Sequence, residues 1–191
     1  MDIVGSIIGI ILLSPMLLVI GILIKRESKG SVIFSQTRVG LNGKEFKMYK
    51  LRSMVDDAEY LKKKLEDENE MTGPMFKIKN DPRITKIGRF IRKTSIDELP
   101  QLINVLKGEM SLVGPRPSLP NEIKKFEIWM IKRLEIKPGL TCYWQISGRN
   151  NISFEEWMKL DIDYVNNRNM LLDIKLILKT ITLLLGDKNA C

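Results

Sequence analysis

SIDELPQ, residues 95–101, places two adjacent carboxylates at the start of an apolar helix around which the chain is organised. Pro100 lacks a backbone N–H and is tolerated only in the first helical turn, which predicts an N-cap at Ile96 or Asp97. At the positive end of the helix dipole, Asp97 and Glu98 are expected to be ionised. An ionised aspartate in this place can bind Mg²⁺ or attack phosphorus.

The same stretch also has a purely structural interpretation. Ser95 and Glu98 have the spacing of a capping box, in which both side chains only satisfy backbone donors, and spacing alone favours this interpretation. A dense basic run precedes the carboxylates and favours their ionised forms. It consists of Arg83, Lys86, Arg89, Arg92 and Lys93.

Composition limits the classes of function. The 191 residues fit one domain, and a net charge of +8 indicates an anionic partner: nucleic acid, lipid headgroups or a phosphorylated substrate. Because the chain has no histidine, Ser-His and Cys-His relays and histidine-ligated metal sites are excluded. Cys142 and Cys191 lack the spacing of metal ligands, so free thiols in a reducing compartment are expected.

The segment from residue 3 to residue 24 carries no charge and is apolar enough for a membrane. At about 1.5 Å per residue, a helix of this length just crosses a hydrocarbon core of about 30 Å. Lys25 and Arg26 close the segment as a cytoplasmic anchor would, and Ser14-Pro15 near its middle predicts a kink. The pattern leaves open whether the helix crosses or turns back, and its uniform apolarity disfavours a buried core helix.

Two further elements follow from local patterns. Residues 31–36 and 45–50 flank Asn42-Gly43, a pair that tolerates positive φ, and this predicts a β-hairpin. Asp81-Pro82 has the pattern of an N-cap followed by proline at the first helical position, which predicts a helix that begins there. The basic side of that helix suits the lipid headgroup layer or an anionic substrate.

Four cations are candidates for phosphate contacts. Lys50 and Arg52 would protrude near the start of a charged helix and can hold a diphosphate, although solvated surface charge is the commoner fate of such a pair. Arg116 lies between two prolines, which suits a rigid bidentate contact. Arg149 ends a stretch, residues 138–149, that is predicted to be a binding loop rather than a core strand.

The C-terminal part of the chain is predicted to be helical. Ser153 and Glu156 have the spacing of a second capping box, which opens a helix. A very apolar final helix is predicted from about Met170 to the stop at Gly186. The leucines of this final helix would pack against the core or lie in the membrane surface.

Six motifs occur in one order along the chain. They are Ser14-Pro15 in an apolar helix, Lys50-Leu51-Arg52-Ser53-Met54, Asp81-Pro82-Arg83, Ile96-Asp97-Glu98-Leu99-Pro100-Gln101, Gly114-Pro115-Arg116-Pro117 and Ser147-Gly148-Arg149-Asn150. Together they resemble the bacterial sugar transferases, the monotopic phosphoglycosyl transferases, over nearly the whole chain. This resemblance favours the chemical interpretation of Asp97 and Glu98 over the capping box. Leu51 and Cys142 depart from the phenylalanine and the glycine that are usual in the family.

The resemblance implies an α+β, mainly helical protein with a short β-hairpin and amphipathic interfacial helices. Residues 1–26 would form a kinked, re-entrant membrane helix with its kink at Ser14 and Pro15. Residues 27–186 would form one continuous catalytic domain, with C-terminal interfacial helices, at the cytoplasmic face of the bacterial inner membrane. The family's basic residues before Asp2 are missing, which leaves open whether the chain is the catalytic domain of a longer membrane protein.

The resemblance further implies transfer of a sugar 1-phosphate from a UDP-sugar to polyprenol (undecaprenyl) phosphate, with release of UMP, at the start of membrane glycan or exopolysaccharide assembly. Asp97 would form a covalent phosphosugar intermediate, Glu98 would assist, and both would lie at Mg²⁺. Contacts to the diphosphate or uridine would fall to Lys50, Arg52, Arg116 and Arg149. Anionic membrane lipid is a further expected partner, nucleic acid is not expected, and a homo-oligomer is left open.

Two other classes of protein compete with this interpretation. A membrane-anchored basic adaptor would bind anionic lipid or nucleic acid and catalyse nothing. A Mg²⁺-dependent hydrolase would cleave a nucleotide sugar or a polyprenyl phosphate, and would still make free sugar phosphate when the lipid acceptor is omitted. Asp97 and Glu98 disfavour the adaptor, because two carboxylates inside its most basic region would weaken the binding of an anionic partner.

Overall fold

A computed structural model describes residues 1–65, 78, 80–147 and 152–186. Its helices and strands are α1 (Asp2–Glu27), β1 (Ile33–Val39), β2 (Glu45–Leu51), α2 (Ala58–Lys64), α3 (Lys86–Lys93), α4 (Gln101–Leu106), β3 (Ser111–Val113), α5 (Pro120–Ile123), α6 (Ile128–Ile131), β4 (Gly139–Thr141), α7 (Tyr143–Ile146), α8 (Phe154–Asn167) and α9 (Met170–Gly186). Short 3₁₀ turns cover Leu41–Gly43, Ile96–Glu98 and Lys132–Glu135. The predicted class, mainly helical with a short β-hairpin and an N-terminal apolar helix, is confirmed.

The apolar helix α1 runs from Asp2 to Glu27, with Pro15 inside it. Ser14 Oγ donates a hydrogen bond to the Ile11 carbonyl at 2.9 Å, which is the local pairing expected beside the proline. Within the described ranges, α1 is the one helix that is long and apolar enough to cross a membrane, by length and composition. Only 11% of its most apolar stretch is buried, which disfavours the core-helix alternative. A kinked or re-entrant path stays a prediction.

The predicted β-hairpin is confirmed. β1 and β2 pair antiparallel, with Ile33 opposite Leu51, and the chain reverses in a 3₁₀ turn. Asn42 and Gly43 adopt positive φ, at 53° and 78°, as the Asn-Gly pair predicts. The hairpin carries Lys50 near the end of β2, next to the buried start of the following loop.

The predicted helix start at Asp81-Pro82 is wrong. α3 begins at Lys86, where the Thr85 hydroxyl caps the helix by accepting a backbone N–H of the first turn at 2.9 Å. The Asp81 carboxylate instead binds Arg83, from which it accepts the backbone N–H at 3.0 Å and Nη2 at 2.6 Å. This ion pair forms its own turn ahead of α3, and therefore leaves the capping position to the next hydroxyl.

The C-terminal elements follow the predictions with one correction. Ser153 and Glu156 form the expected capping box at the start of α8, and α9 has the predicted bounds. The expected binding loop, however, contains β4, whose backbone pairs parallel with β3. Gly114 and Gly139 let the two segments approach closely enough to pair, because a Cβ at either position would overlap the facing backbone.

Buried hydrophobic clusters form the core of the described residues, and one of them packs against Ile96 of the SIDELPQ stretch. Near the C-terminal half of α1, the buried members are Ile20, Ile24, Leu51 and Ile91. Under α8 and α9 they are Val113, Ile136, Cys142, Tyr164 and Leu176, and between these two groups lie Met48, Val105 and Met110. The Cys142 thiol is free, as expected. The carboxylates of the stretch are therefore held on a packed scaffold.

Candidate active site

Asp97 and Glu98 lie in a 3₁₀ turn that precedes α4. Ser95 enters this turn with a left-handed φ of 55°, its side chain makes no capping hydrogen bond, and α4 begins only at Gln101. The predicted N-cap at Ile96 or Asp97 is therefore wrong, and the capping box of Ser95 and Glu98 is not formed. The physical reason is that both carboxylates face cations from other parts of the fold instead of the backbone of their own helix.

Glu98 is paired with two cations that are distant in sequence. Lys50 Nζ lies 2.6 Å from Glu98 Oε1, and Arg116 Nη1 lies 3.2 Å from the same oxygen. Burial alone would raise the pKa of Glu98, but Lys50 and Arg116 outweigh burial and hold this pKa well below its usual range. Glu98 is therefore an ionised carboxylate whose charge is balanced inside the protein.

Asp97 has a different environment from its neighbour. The residue is only 7% exposed, and the Lys50 Nζ lies 4.0 Å from Asp97 Oδ2. No hydrogen bond to the Asp97 carboxylate occurs among the described residues. Burial raises the pKa of Asp97, Lys50 opposes this effect, and the charge of Glu98 adds to it. The end of its own helix was expected to stabilise the ionised form of Asp97. This expectation is wrong, because Asp97 lies in a 3₁₀ turn ahead of α4.

Asp97 lines a cavity of about 390 Å³ that is bounded by the hairpin, α3 and the loop before α5. Cations outnumber carboxylates in the wall of this cavity. The cations are Arg38, Lys50, Arg52, Arg83, Arg92 and Arg116, and the carboxylates are Asp56, Glu59, Asp97 and Glu122. An anionic ligand with more than one phosphate suits such a wall, which we call the cationic cavity.

The four cations that were predicted to bind phosphate do not all lie at the carboxylates. Lys50 and Arg116 meet at the adjacent carboxylates Asp97 and Glu98, which we call the dyad. Arg52 lines the cationic cavity, but its Nη1 and Nη2 donate to two backbone carbonyls just after α1. Arg149 lies outside the described residues. Ser14-Pro15 lies within α1 and does not line the cavity.

Arg116 is held in place by its surroundings. Its guanidinium lies 5.4 Å from the centre of the Trp144 ring, and its carbonyl accepts a hydrogen bond from Arg133 Nη2 at 2.7 Å. Arg133 also pairs with the buried Asp161, with 2.6 Å between Nη2 and Oδ2, and donates to Ser118 Oγ at 2.6 Å. A buried ion pair thus supports the loop that presents Arg116 to the dyad.

Sequence reasoning missed three contributors to this site. Arg38 donates to the Pro117 carbonyl at 3.0 Å, and burial with repulsion from Arg116 lowers its pKa to about 10. For Arg92 the sequence leaves a lipid headgroup layer and an anionic substrate open, and the structure places it at the cationic cavity, where its Nε donates to Ser53 Oγ at 2.9 Å. Arg133 carries no local pattern at all. For Arg38 the available signal is the alternation of β1, which predicts that Arg38 shares a face with Gln36.

A magnesium ion is consistent with this arrangement of residues. The described part of the chain has no group of three or more carboxylate or thiol ligands that would form a complete protein cage. Mg²⁺, however, is usually bound by one or two carboxylates together with substrate phosphates and waters. Asp97 has free lone pairs at the edge of the cationic cavity, and Glu98 is adjacent, so these two side chains fit that mode of binding.

Comparison with known proteins adds a family relationship. The family model described as bacterial sugar transferase matches residues 1–187. The chain is 53% identical over 186 residues to galactosyl transferase CpsE of Streptococcus agalactiae, covering 97% of the chain and 41% of the relative. It is 44% identical over 193 residues to undecaprenyl-phosphate galactose phosphotransferase of Salmonella typhimurium, covering 99% and 40%.

A shorter relative matches over most of its length. The exopolysaccharide production protein ExoY of Rhizobium meliloti is 38% identical over 184 residues, which cover 94% of the chain and 81% of that protein. The chain therefore spans about two fifths of the longer relatives but most of this one. The region matched by the family model contains Asp97, Glu98 and the hairpin, which contribute to the site described above.

Proposed function

The chain belongs to the bacterial sugar transferase family, and on this premise we propose that it transfers a sugar 1-phosphate from a UDP-sugar to polyprenol phosphate and releases UMP. Two relatives are named for undecaprenyl phosphate, with galactose or glucose, and one is named a UDP-galactose-lipid carrier transferase. The product would begin the assembly of a membrane glycan or exopolysaccharide. The observation that carries the proposal is a buried Asp97 at the edge of a cavity rich in cations, with no hydrogen bond to its carboxylate from the residues that the structure describes.

The reaction is proposed to proceed in two balanced steps. In the first, an Asp97 carboxylate oxygen attacks the sugar-bearing phosphorus, the bond from that phosphorus to the bridging oxygen breaks, and UMP leaves with the bridging oxygen. In the second, a phosphate oxygen of polyprenol phosphate attacks the same phosphorus, and the bond to Asp97 breaks to regenerate the carboxylate. Lys50 and Arg116 balance Glu98, so Asp97 meets the substrate diphosphate without an uncompensated neighbouring charge.

Two buried donors support an anionic substrate. In the described part of the chain, the Nε atoms of Arg38 and Arg52 are buried without a hydrogen-bond partner, and both residues line the cationic cavity. Buried donors are normally paired, so such donors indicate a missing partner. Asp97 and Glu98 would hold Mg²⁺ together with the substrate, and the ion would neutralise diphosphate charge.

The apolar helix is proposed to be re-entrant, with the enzyme at the cytoplasmic face of the bacterial inner membrane. Both ends of α1 contact the same catalytic domain, which supports this path. Near the N-terminus, the Asp2 carboxylate accepts the Leu112 N–H at 3.3 Å. Near the C-terminus, the Glu27 carboxylate accepts the Lys86 N–H at 2.7 Å. A helix that crossed the bilayer would carry one of these ends away from the domain.

The path of α1 can be tested by labelling. A cysteine at Ile3, which is exposed, is expected to react with a membrane-impermeant maleimide only after cells are permeabilised. Changing Ser14 and Pro15 together to alanine should straighten the helix and favour crossing, which would make that cysteine reactive in intact cells. Leu12→Ala, at an exposed position of the same helix, is the matched control. Labelling of the native-sequence helix in intact cells would rule out the re-entrant path.

Arg116→Lys is expected to raise the KM for the UDP-sugar by about tenfold or more, because lysine lacks the planar fork that two prolines and Trp144 hold in place. The measurement is steady-state UMP release at varied UDP-sugar. Arg89→Lys, at an exposed position on α3 outside the cationic cavity, is the matched control and should not change this KM. Wild-type kinetics in Arg116→Lys would show that Arg116 makes no bidentate contact.

The function itself is tested with a panel of UDP-sugars, each assayed for UMP with and without polyprenol phosphate. The proposed transferase gives sustained UMP release only when the acceptor is present. Sustained release without acceptor, together with free sugar phosphate, would identify a hydrolase. Absence of UMP with every sugar would favour the basic adaptor, whose binding to anionic vesicles should improve when Asp97→Asn removes a negative charge.

A further inference from the structure

A second cavity, of about 160 Å³, adjoins the dyad and differs in character from the cationic cavity. The polar residues of its wall include Glu98, Ser95 and Gln145. The rest of its wall is mainly aliphatic and is formed by Leu99, Leu112, Leu140, Ile177 and Ile181. We call this cavity the apolar groove. An aliphatic wall that ends at a catalytic carboxylate suits a ligand with an apolar chain and a polar head.

The hydroxyl groups in the apolar groove do not change its character. The hydroxyls of Thr141 and Thr180 hydrogen-bond to each other, and Thr180 Oγ1 also donates to the Leu176 carbonyl at 2.8 Å. Because these hydroxyls are satisfied within the protein, a ligand gains little by pairing with them. Recognition in the groove therefore depends on the burial of apolar surface.

The apolar groove opens where the protein exposes aliphatic side chains. Ile174, Leu178 and Ile181 form a stripe along α9, and they are 43%, 59% and 49% exposed. Ile181 belongs to both the stripe and the groove wall. Leu112, on another wall, packs against α1, where a Cβ at Gly5 would lie 2.7 Å from Leu112 Cδ1. The groove thus joins the exposed apolar surface of α9 to the dyad.

We propose that the apolar groove binds the phosphate-proximal isoprene units of the lipid acceptor, so that the acceptor enters from the side of α9 and presents its phosphate beside Glu98. This inference rests on the proposed function. The two carboxylates of the dyad face different cavities, since Asp97 lines the cationic cavity and Glu98 lines the apolar groove. Asp97 is therefore assigned to the donor and Glu98 to the acceptor. Arg116, paired with Glu98, lines the cationic cavity and balances charge where the two phosphates meet.

The test separates acceptor from donor kinetics in the full chain, in mixed micelles of detergent and undecaprenyl phosphate. Ile181→Trp places a larger side chain in the wall of the groove, where it would displace part of the isoprene chain. The KM for undecaprenyl phosphate is expected to rise about tenfold, which corresponds to the loss of one buried aliphatic contact between the isoprene chain and the groove. The KM for the UDP-sugar should stay within about twofold. Leu178→Trp, on the same helix but outside the groove, is the matched control and should leave both KM values unchanged.

Each outcome has a distinct meaning. An unchanged KM for undecaprenyl phosphate in Ile181→Trp, with normal transfer, would overturn the groove and leave the proposed function intact. An equal rise in Leu178→Trp would also overturn it, because the effect would then reflect general membrane contact. A rise in the UDP-sugar KM alone would assign the groove to the donor and contradict the proposal. If the wild type shows no acceptor-dependent UMP release with any UDP-sugar, the proposed function fails, and the inference fails with it.

Discussion

Asp97→Asn is expected to lower acceptor-dependent UMP release by roughly 10⁴-fold or more, because an amide cannot form the bond to phosphorus that the mechanism requires. The variant should fold, since Asp97 makes no hydrogen bond among the described residues and asparagine has nearly the same shape. Glu98→Gln is expected to slow turnover without abolishing it, because Glu98 is paired with Lys50 and Arg116 rather than free to attack.

The control for Asp97→Asn is Asp57→Asn, an exposed aspartate ahead of α2, which should retain full activity. The rates are measured as UMP release at saturating UDP-sugar and polyprenol phosphate. Activity above about one tenth of wild type in Asp97→Asn would exclude Asp97 as the nucleophile. Complete loss in Glu98→Gln, with substantial activity in Asp97→Asn, would exchange the two roles.

Asp161→Ala is expected to lower the free energy of unfolding by about 3–5 kcal/mol, because it leaves the Arg133 guanidinium buried without its counter-ion. Asp161 and Arg133 are 0% and 2% exposed, so water does not replace the lost partner. The measurement is urea unfolding in mild detergent, followed by tryptophan fluorescence. Asp163→Ala, at an exposed position of the same helix, is the matched control and should change stability by less than about 1 kcal/mol.

A double replacement separates stability from catalysis. Arg133→Met with Asp161→Leu removes both charges and should recover much of the lost stability. It should still weaken the binding of the UDP-sugar, because the carbonyl of Arg116 loses its hydrogen bond from Arg133. A fully active double variant would show that Arg133 does not help to position Arg116. A stable Asp161→Ala would show that the ion pair contributes little to folding.

The elements that were predicted correctly depend on neighbours in sequence. The Asn42-Gly43 turn and the capping box of Ser153 and Glu156 need only residues within a few positions of each other, so local patterns are sufficient. The start of α3 was wrong for the opposite reason. Asp81 has the right spacing for a cap, but its carboxylate pairs with Arg83, and the fold leaves the cap to Thr85.

The assignment of Asp97 and Glu98 to the site stays a prediction, and their electrostatics differ from what the sequence predicts. The sequence pointed to Asp97 and Glu98 as a pair, and they were expected to be ionised by the end of their own helix. Their difference in pKa comes instead from Lys50 and Arg116, which lie 48 and 18 residues from Glu98 along the chain. Contacts between residues so far apart in sequence follow no periodic pattern, so they cannot be predicted from a single sequence.

The arginines of the cationic cavity illustrate the same limit. Arg92 belongs to a basic run that suits a lipid surface, and only the packing of α3 against the loop after β2 turns it inward to Ser53. That packing is close, because a Cβ at Gly88 would lie 1.9 Å from the Ser53 carbonyl oxygen. Gly88 was therefore a signal for the inward face of α3.

If Asp97 carries the sugar phosphate between donor and acceptor, UMP is released from the UDP-sugar before any polyprenol phosphate is added. We expect a burst of UMP that is stoichiometric with enzyme, together with a mass increase equal to the sugar phosphate on the peptide that contains Asp97. Both signals should disappear in Asp97→Asn. If UMP appears only with polyprenol phosphate, and no adduct forms on that peptide, Asp97 is not the nucleophile and the reaction is a direct displacement.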